Sequence, residues 1–247
     1  MEIKRFFVDS PLTVGKDTVV TGDEFVHAVK VSRYKVGYKL ILSNGDGYDY
    51  FAVITAVDKH SFTARVENAE KNANELNVPL VLYMCGIERS DIAVQKATEI
   101  GATEIRFIVS RFTNTKMQNY DRLRKIAAES AKQCGRAVVP KIFETVPFEE
   151  GVRDAVTRCD TCIFAYEGAT AGRISDHITK ETSSVAVIIG SEGGFAEEEV
   201  AFAREQGAHV VTLGRRILRA ETASIVALAL TADLLEKYES GSIEPRM

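Results

Sequence analysis

From Pro79 onward, short apolar runs alternate with longer stretches that carry apolar residues at helical spacing. This alternation constrains the fold more than any other feature, because consecutive strand–helix units build a parallel sheet covered by helices on both faces. The predicted strands are residues 80–85, 105–110, 161–165, 185–190 and 209–213. The sequence therefore predicts an α/β domain for this part of the chain.

Helices are predicted between these strands, over residues 91–100, 120–134, 148–158, 196–206 and 221–238. Ser90 is the predicted N-cap of the first of them, and Gly101 its end. The last helix carries apolar residues on more than one face. Such a helix must be buried on several sides, either inside the core or at a subunit interface.

Residues 1–72 have a different pattern, typical of a small β-rich domain. Strands are predicted over residues 39–43, 48–57 and 61–66, separated by Gly-, Asn- and Asp-containing turns. A short helix is predicted over residues 23–31, and the polar stretch 68–77 is predicted to be a linker. We therefore expect an antiparallel barrel or meander over residues 1–72 and a second domain over residues 73–247.

The distribution of charge along the chain is uneven, although the net charge of the whole is only −4. Residues 84–141 hold 11 basic and 6 acidic side chains, which gives a net charge of +5. Residues 142–210 hold 5 basic and 13 acidic side chains, which gives a net charge of −8. Binding to phosphate depends on local charge. The middle segment is therefore either a nucleic-acid-binding surface or an ordinary solvated helix face.

Several classes of protein are excluded by composition. No apolar run approaches the roughly 20 residues that span a bilayer, the first residues do not resemble a signal peptide, and four Cys are too few for a disulfide scaffold. We expect a cytoplasmic protein without a membrane segment. Cys159 and Cys162 form a single C-x-x-C pair, which is either a redox motif or two small residues on a buried strand; the scattered His and Cys residues predict no metal site.

Two glycine-containing stretches each follow a predicted strand and precede a predicted helix. They read IGSEGGF over residues 189–195 and LGRRILRAETA over residues 213–223. Glycine permits a tight turn, and it also lets backbone approach a ligand closely. From these residues alone, a tight strand–helix connection and a ligand-binding loop are both open.

Taken together, these stretches resemble the RsmE family of SPOUT-class methyltransferases. Further blocks agree: QKATEIG over residues 95–101, and AESAKQCGR over residues 128–136 followed by Pro140. The stretches RFFV at residues 5–8 and 27–33 resemble the PUA-like RNA-binding domain of that family. The chain departs from the family at Ser191, where Pro is usual, and at Glu88 and Arg89, where the family is Lys-rich; Arg89 is therefore the expected RNA contact of the two.

The resemblance implies a PUA-like β-barrel, a parallel α/β domain with a deep trefoil knot, and a homodimer. It also implies transfer of a methyl group from S-adenosylmethionine (SAM) to N3 of a uridine in small-subunit (16S) ribosomal RNA. The resemblance implies that the two glycine loops hold SAM. The expected cofactor-binding residues are Ala165, Tyr166, Glu167, Gly190, Glu192, Gly193, Gly194, Leu213, Gly214, Ile217, Leu218 and Ala223.

Catalytic and RNA-binding roles are also predicted. Developing charge on the uracil oxygens calls for guanidinium groups, and the remaining catalytic candidates are an amide and a carboxylate; these residues are Arg136, Arg219, Gln133 and Glu221. The expected phosphate contacts are Arg5, Arg33, Arg89, Lys96, Arg111 and Lys132. Two alternatives stay open: a SPOUT enzyme acting on transfer RNA or a ribose 2′-oxygen, and a non-catalytic RNA-binding assembly factor.

Overall fold

A computed structural model describes residues 3–114 and 118–239. The chain divides into two compact units: residues up to 75 together with 131–139, and the remainder of the chain. The sequence placed a domain boundary after residue 72 and assigned 131–139 to the C-terminal domain. In the structure this short segment packs within the first unit.

The first unit is built on a five-stranded sheet. Its strands are β1 (Arg5–Phe7), β2 (Asp17–Val20), β3 (Lys39–Ser43), β4 (Tyr48–Val57) and β5 (Phe62–Lys71), in the order β1-β3-β4-β5-β2. The pairs are antiparallel except β1 with β3, which run parallel. Between β2 and β3, helix α1 (Gly22–Phe25) continues as a π-helical segment, Val26–Val31.

The predicted linker at residues 68–77 was wrong at its start. Strand β5 continues to Lys71, because the long partner strand β4 supplies backbone partners out to the pair Tyr48–Lys71. The polar side chains there lie on an exposed stretch, so they do not oppose strand formation. The core of this unit is apolar and includes buried Phe6, Leu40 and Phe62.

An ion-pair network holds residues 131–139 in the first unit. The buried Arg5 guanidinium pairs with Asp49 and donates to the Gly135 carbonyl at 3.1 Å, and Asn72 Nδ2 donates to the same carbonyl at 2.9 Å. Arg136 pairs with Glu75 at 2.7 Å. The backbone of this segment is thereby fixed by polar contacts that the sequence pattern does not reveal.

The second unit contains a six-stranded parallel sheet. Its strands are β6 (Leu80–Cys85), β7 (Glu104–Val109), β8 (Lys141–Pro147), β9 (Thr161–Ala165), β10 (Val185–Ile189) and β11 (His209–Val211), in the order β11-β9-β10-β6-β7-β8. The five predicted strands are confirmed, with small shifts of their ends. The sixth strand, β8, was not among the predicted strands; it begins just after Pro140.

Helices cover both faces of this sheet. They are α2 (Ser90–Ile100), α3 (Tyr120–Cys134), α4 (Phe148–Arg158), α5 (Glu197–Glu205) and α6 (Ala220–Glu239). Helices α4 and α5 share a buried cluster with Val81 and Tyr83 of β6. The alternate residues of β6 point to the other face, where α6 contacts β6, β10 and α2.

The predicted N-cap of α2 is wrong. Ser90 is the first helical residue, and its hydroxyl donates to the Ile87 carbonyl at 2.8 Å and accepts from the Ile87 N–H at 3.1 Å. This contact closes the turn that follows β6. Gly101 ends the helix with φ of 113°, as the sequence predicted.

Candidate active site

Three loops meet at the carboxyl edge of the parallel sheet, where β11, β9 and β10 are neighbours. The loop after β9 begins with Tyr166, whose backbone N–H donates to the Val211 carbonyl at 3.0 Å. The loops after β10 and β11 are the two glycine-containing stretches. Ligands of open α/β sheets bind at this edge, beyond the carboxyl ends of the strands.

The loop over residues 190–195 is held rigidly by its neighbours. Ser191 donates its hydroxyl to the Phe112 carbonyl at 3.0 Å, and the Gly194 N–H donates to the Ser191 carbonyl at 3.0 Å. Phe195 anchors the end of the loop, with its ring centroid 4.4 Å from that of Phe164. A Cβ on Gly190 would lie 3.0 Å from the Phe195 ring, so glycine is needed for this packing.

The loop over residues 212–219 begins with a tight turn. The Gly214 N–H donates to Thr212 Oγ1 at 3.1 Å, and that hydroxyl donates to the Gly214 carbonyl at 3.2 Å. Gly214 has a φ of 122°, in the region that favours glycine. This turn ends β11 earlier than the sequence predicted.

The first cavity lies between these loops and holds about 500 Å³ of empty space, its open mouth included. It is lined by Ala165, Tyr166, Glu167, Ile189, Gly190, Ser191, Gly194, Thr212, Leu213, Gly214, Arg216, Leu218, Ala220 and Ala223. No hydrogen bond among the described residues uses the backbone N–H of Leu213, Arg216 or Leu218. Aliphatic walls with available N–H donors suit an aromatic heterocycle, whose faces are apolar and whose edges accept hydrogen bonds.

A second cavity adjoins the first and shares five of its wall residues, which are Glu167, Ser191, Gly194, Leu218 and Ala220. Its remaining walls are Glu88, Arg89, Glu192, Ile217, Arg219 and Glu221. Within the residues that the structure describes, the side chains of Arg89, Arg219, Glu167 and Glu221 form no ion pair. These charged groups are therefore available to a ligand.

The structure brings most of the predicted cofactor residues together. Nine of them line the first cavity: Ala165, Tyr166, Glu167, Gly190, Gly194, Leu213, Gly214, Leu218 and Ala223. Glu192 and Ile217 lie in the second cavity instead. Gly193 lines a third cavity, where a Cβ on it would lie 2.8 Å from Phe112 Cβ.

Sequence reasoning missed five residues of the first cavity, namely Ile189, Ser191, Thr212, Arg216 and Ala220. All five lie within or beside the two glycine-containing stretches. Their positions after predicted parallel strands could have identified them, because residues that follow the carboxyl end of such a strand lie at this edge of the sheet.

Ion pairs distinguish the predicted cationic residues. Arg136 is only 1% exposed and pairs with Glu75. Arg5 pairs with Asp49 and Lys132 with Glu24, both largely buried. Lys96 and Arg111 are more exposed and pair with Glu99 and Glu198.

Arg33 is exposed and adopts a φ of 58°, the one positive φ of a non-glycine residue among the described residues. Gln133 is also exposed, near the end of α3. Of the four predicted catalytic residues, Arg219 and Glu221 line the second cavity. The roles of Arg136 and Gln133 stay predictions.

The C-x-x-C pair lies in the core. Cys159 and Cys162 are 6% and 3% exposed, and both belong to the cluster beneath α4 and α5. Burial raises the pKa of Cys159 to about 11 and that of Cys162 to about 12. A thiol must ionise to act as a nucleophile or to bind a metal. The raised pKa values therefore favour the interpretation of this pair as small buried residues at a strand over that of a redox motif.

The fold and these adjoining cavities define the class of the protein. A family model described as an RNA methyltransferase domain matches residues 72–232. A second model, described as an RNA methyltransferase PUA domain, matches residues 20–67. The predicted fold class, a PUA-like domain followed by a parallel α/β domain, is confirmed.

Individual relatives narrow this class. Ribosomal RNA small subunit methyltransferase E of Bacillus subtilis is 30% identical over 226 residues, covering 85% of this chain and 87% of the relative. The protein of that name from Mycobacterium bovis is 29% identical, and the match covers 96% of this chain and 94% of that protein. A Neisseria gonorrhoeae structure of that name, bound to S-adenosyl methionine, has a TM-score of 0.85 at 27% identity. The match covers 94% of this chain and 98% of the Neisseria chain. The chain belongs to the ribosomal RNA small subunit methyltransferase E family.

None of the helices in the described part of the chain combines the length and the apolar character needed to cross a membrane.

Proposed function

We propose that this protein transfers a methyl group from SAM to N3 of a uridine in 16S ribosomal RNA. The observation that carries the proposal is the pair of adjoining cavities at the carboxyl edge of the sheet. One combines aliphatic walls with available N–H donors, and the other is lined by charged groups, of which Arg89, Arg219, Glu167 and Glu221 form no ion pair among the described residues. A cofactor in the first and a nucleotide in the second would meet at their shared wall.

The first cavity fits SAM. Ile189, Leu213 and Leu218 offer apolar surface to the adenine ring, and the backbone N–H groups of the 212–219 loop suit its edge. Glu167 and Arg216 offer opposite charges for the amino and carboxylate groups of the methionine part. When bound, SAM supplies an electrophilic methyl carbon, while the protein supplies position and electrostatics.

The second cavity is the proposed site of the target uridine. N3 of uracil carries a proton at neutral pH, and its loss spreads negative charge over the two carbonyl oxygens. The guanidinium groups of Arg219 and Arg89 would stabilise that charge, and the Glu221 carboxylate would accept the proton. These two guanidinium groups are effective in stabilising the uracil anion, because neither forms an ion pair with a carboxylate among the described residues.

RNA affinity is proposed to come from the first unit and from the loops around the second cavity. Arg33, Lys30 and Lys35 are exposed in the first unit, and Arg89 lies beside the second cavity. Each phosphate contact releases counterions, so Arg33→Ala should weaken RNA binding and flatten its salt dependence. Whole-protein variants are preferable to removal of residues 1–72, because that cut would remove Glu24, the ion-pair partner of Lys132, and Arg5, which donates to the Gly135 carbonyl.

We also propose a homodimer, with α6 in the interface, and a cytoplasmic location, where the substrate is found. Helix α6 carries buried residues toward the sheet, and it also exposes Leu230 by 48% and Tyr238 by 42%. An apolar stripe left uncovered in one copy is a suitable contact for a second.

Mass spectrometry of RNA from cells lacking and regaining the protein tests the proposed function. One N3-methylated uridine in 16S ribosomal RNA should disappear on deletion and return with the wild-type protein but not with Arg219→Ala. Loss of a transfer-RNA or ribose methyl group instead would establish the alternative SPOUT activity. Unchanged methylation of all RNA, together with a ribosome assembly defect, would establish a non-catalytic factor.

A further inference from the structure

A third cavity continues the path that runs from the first cavity through the second. It shares Glu88 and Glu192 with the second cavity and holds about 650 Å³ of empty space, its open mouth included. Its other walls are Gly86, Ile87, Phe112, Asn114, Gln118 and Gly193. They come from the turns after β6 and β7 and from the loop after β10.

Phe112 is an exposed aromatic residue on a fixed backbone. The residue is 48% exposed, although its carbonyl accepts the Ser191 hydroxyl at 3.0 Å. The preceding residue is held as well, because the Arg111 N–H donates to Glu199 Oε1 at 2.8 Å. A half-exposed ring on a rigid turn adds little to the core, but it provides a flat surface on which a nucleobase can stack.

Two glycines clear the space around this ring and the neighbouring amide. A Cβ at residue 193 would lie 2.8 Å from Phe112 Cβ, and a Cβ at residue 86 would lie 3.0 Å from Gln118 Nε2. Side chains at either position would push Phe112 or Gln118 out of place. The glycine content of the IGSEGGF loop thus serves the third cavity as well as the first.

The polar groups of the third cavity favour a base over a phosphate. Two carboxylates, Glu88 and Glu192, lie at its junction with the second cavity, and Asn114 and Gln118 add amides. Glu192 Oε1 accepts the Glu88 N–H at 3.0 Å, which fixes the carboxylate in place. Carboxylates repel phosphate and accept hydrogen bonds from exocyclic amino groups, which adenine, cytosine and guanine carry and uracil lacks.

We propose that the third cavity binds the unpaired nucleobase next to the target uridine, stacked on Phe112, with an exocyclic amino group donating to Glu192. This proposal rests on the proposed function, since it takes the second cavity as the target site. The shared wall of Glu88 and Glu192 places the two cavities as neighbouring positions for consecutive nucleotides. Single-stranded RNA is commonly recognised in this way, by stacking and by base-edge contacts.

Single-turnover methylation of small ribosomal subunits from cells lacking the protein tests the stacking contact. Phe112→Ala should raise the half-saturating subunit concentration about 10-fold, whereas Phe112→Tyr, which keeps the ring, should remain near wild type. The affinity for SAM, measured by calorimetry, should be unchanged in both variants and would report correct folding of the cofactor site. Wild-type half-saturation by a folded Phe112→Ala protein would overturn the proposal, whereas failure of the wild-type enzyme to methylate subunits would overturn the proposed function.

Binding of labelled pentaribonucleotides with a central uridine tests the base preference. One neighbouring position should prefer adenine, cytosine or guanine over uracil, and an abasic residue there should bind most weakly. Glu192→Gln retains an acceptor for the Glu88 N–H but loses the charge, so it should reduce this preference several-fold. Equal affinity for all four bases and for the abasic RNA at both neighbouring positions would overturn the assignment.

Discussion

Single residues at the carboxyl edge of the sheet decide whether the cavities stay open. Gly194 is the sharpest case, because it has a φ of 70° and a Cβ there would collide with the Glu167 carboxylate. Both residues belong to the wall that the first and second cavities share. We expect Gly194→Ala to displace Glu167 and to weaken SAM binding at least about 10-fold, as measured by calorimetry, since a charge-assisted contact is lost.

Gly45→Ala is the matched control for this substitution. Gly45 has a φ of 85° in a turn of the first unit, and a Cβ there meets nothing within 4 Å. It therefore incurs the same left-handed backbone cost without touching the cavities. Unchanged SAM affinity in a folded Gly194→Ala protein would remove Glu167 from the cofactor site.

A stacked histidine pair should give the second unit a pH-dependent stability. The rings of His177 and His209 are 4.0 Å apart and nearly parallel. Partial burial, and secondarily the neighbouring His177, lower the pKa of His209 below its ordinary value of 6.5. The unfolded chain then binds more protons, so this contribution to stability is present above about pH 6.5 and is lost as the pH falls.

Urea unfolding at pH 7.5 and 5.5 measures this effect. His209→Gln should remove part of the difference in unfolding free energy between the two pH values. If the wild-type protein and the His209→Gln variant have the same pH dependence, the lowered pKa of His209 does not contribute to stability.

Arg136 raises a separate question, since a nearly inaccessible guanidinium was predicted to be catalytic. Its pairing with Glu75 also fixes residues 131–139, because Glu75 Oε1 accepts the Val138 N–H at 2.9 Å. Removing one partner of a buried pair leaves an uncompensated charge, so Arg136→Ala should lower the unfolding free energy by about 3–5 kcal/mol. Arg111→Ala, which breaks an exposed pair with Glu198, should leave the unfolding free energy nearly unchanged, because solvent screens exposed ion pairs.

The rate of methylation at saturating RNA then separates structure from catalysis. A folded Arg136→Ala protein that is slower by about 100-fold would support the predicted contact with the uracil anion. A full single-turnover rate would assign Arg136 to the structural ion pair alone.

At the scale of elements, α6 has one buried and one exposed apolar surface, for which we predict different roles. Leu228 and Leu235 are 0% and 2% exposed, so charged substitutions there are expected to unfold the protein. Leu230 is 48% exposed, and Leu230→Glu should therefore dissociate the dimer without unfolding it. Sedimentation with circular dichroism distinguishes the two results, and a wild-type monomer at micromolar concentration would contradict the proposed dimer.

The strands show which structural features the local pattern of apolar residues predicts. Buried parallel strands are continuous apolar runs, so β6 and β9 were predicted with their observed ends. Strand β11 ended earlier than predicted, because the side chain of Thr212 turns the backbone toward Gly214. The first two strands of the chain, which are three and four residues long, were not predicted.

For the whole molecule, the division into units is not contiguous along the chain. Helix α3 begins in the second unit, and its last residues belong to the first. The sequence contains the residues of the Arg5, Asp49 and Gly135 network, but these are separated by up to 130 positions. Periodicity reports only neighbours along the chain, so it could not connect them.

The sequence by itself determined the alternating strands and helices, the β-rich first domain, and the two glycine loops that line the first cavity. These properties follow from local patterns of apolar residues and glycine, which a single strand or helix already imposes. Only the tertiary structure decided which charged residues are free of ion pairs and therefore available to bind a ligand. It pairs Arg5, Lys132 and Arg136 with carboxylates, leaves Arg89 and Arg219 beside the second cavity, and turns Gly193 toward Phe112. Electrostatic pairing depends on distances across the folded chain, and these arise only when the loops of distant strands meet at one edge of the sheet.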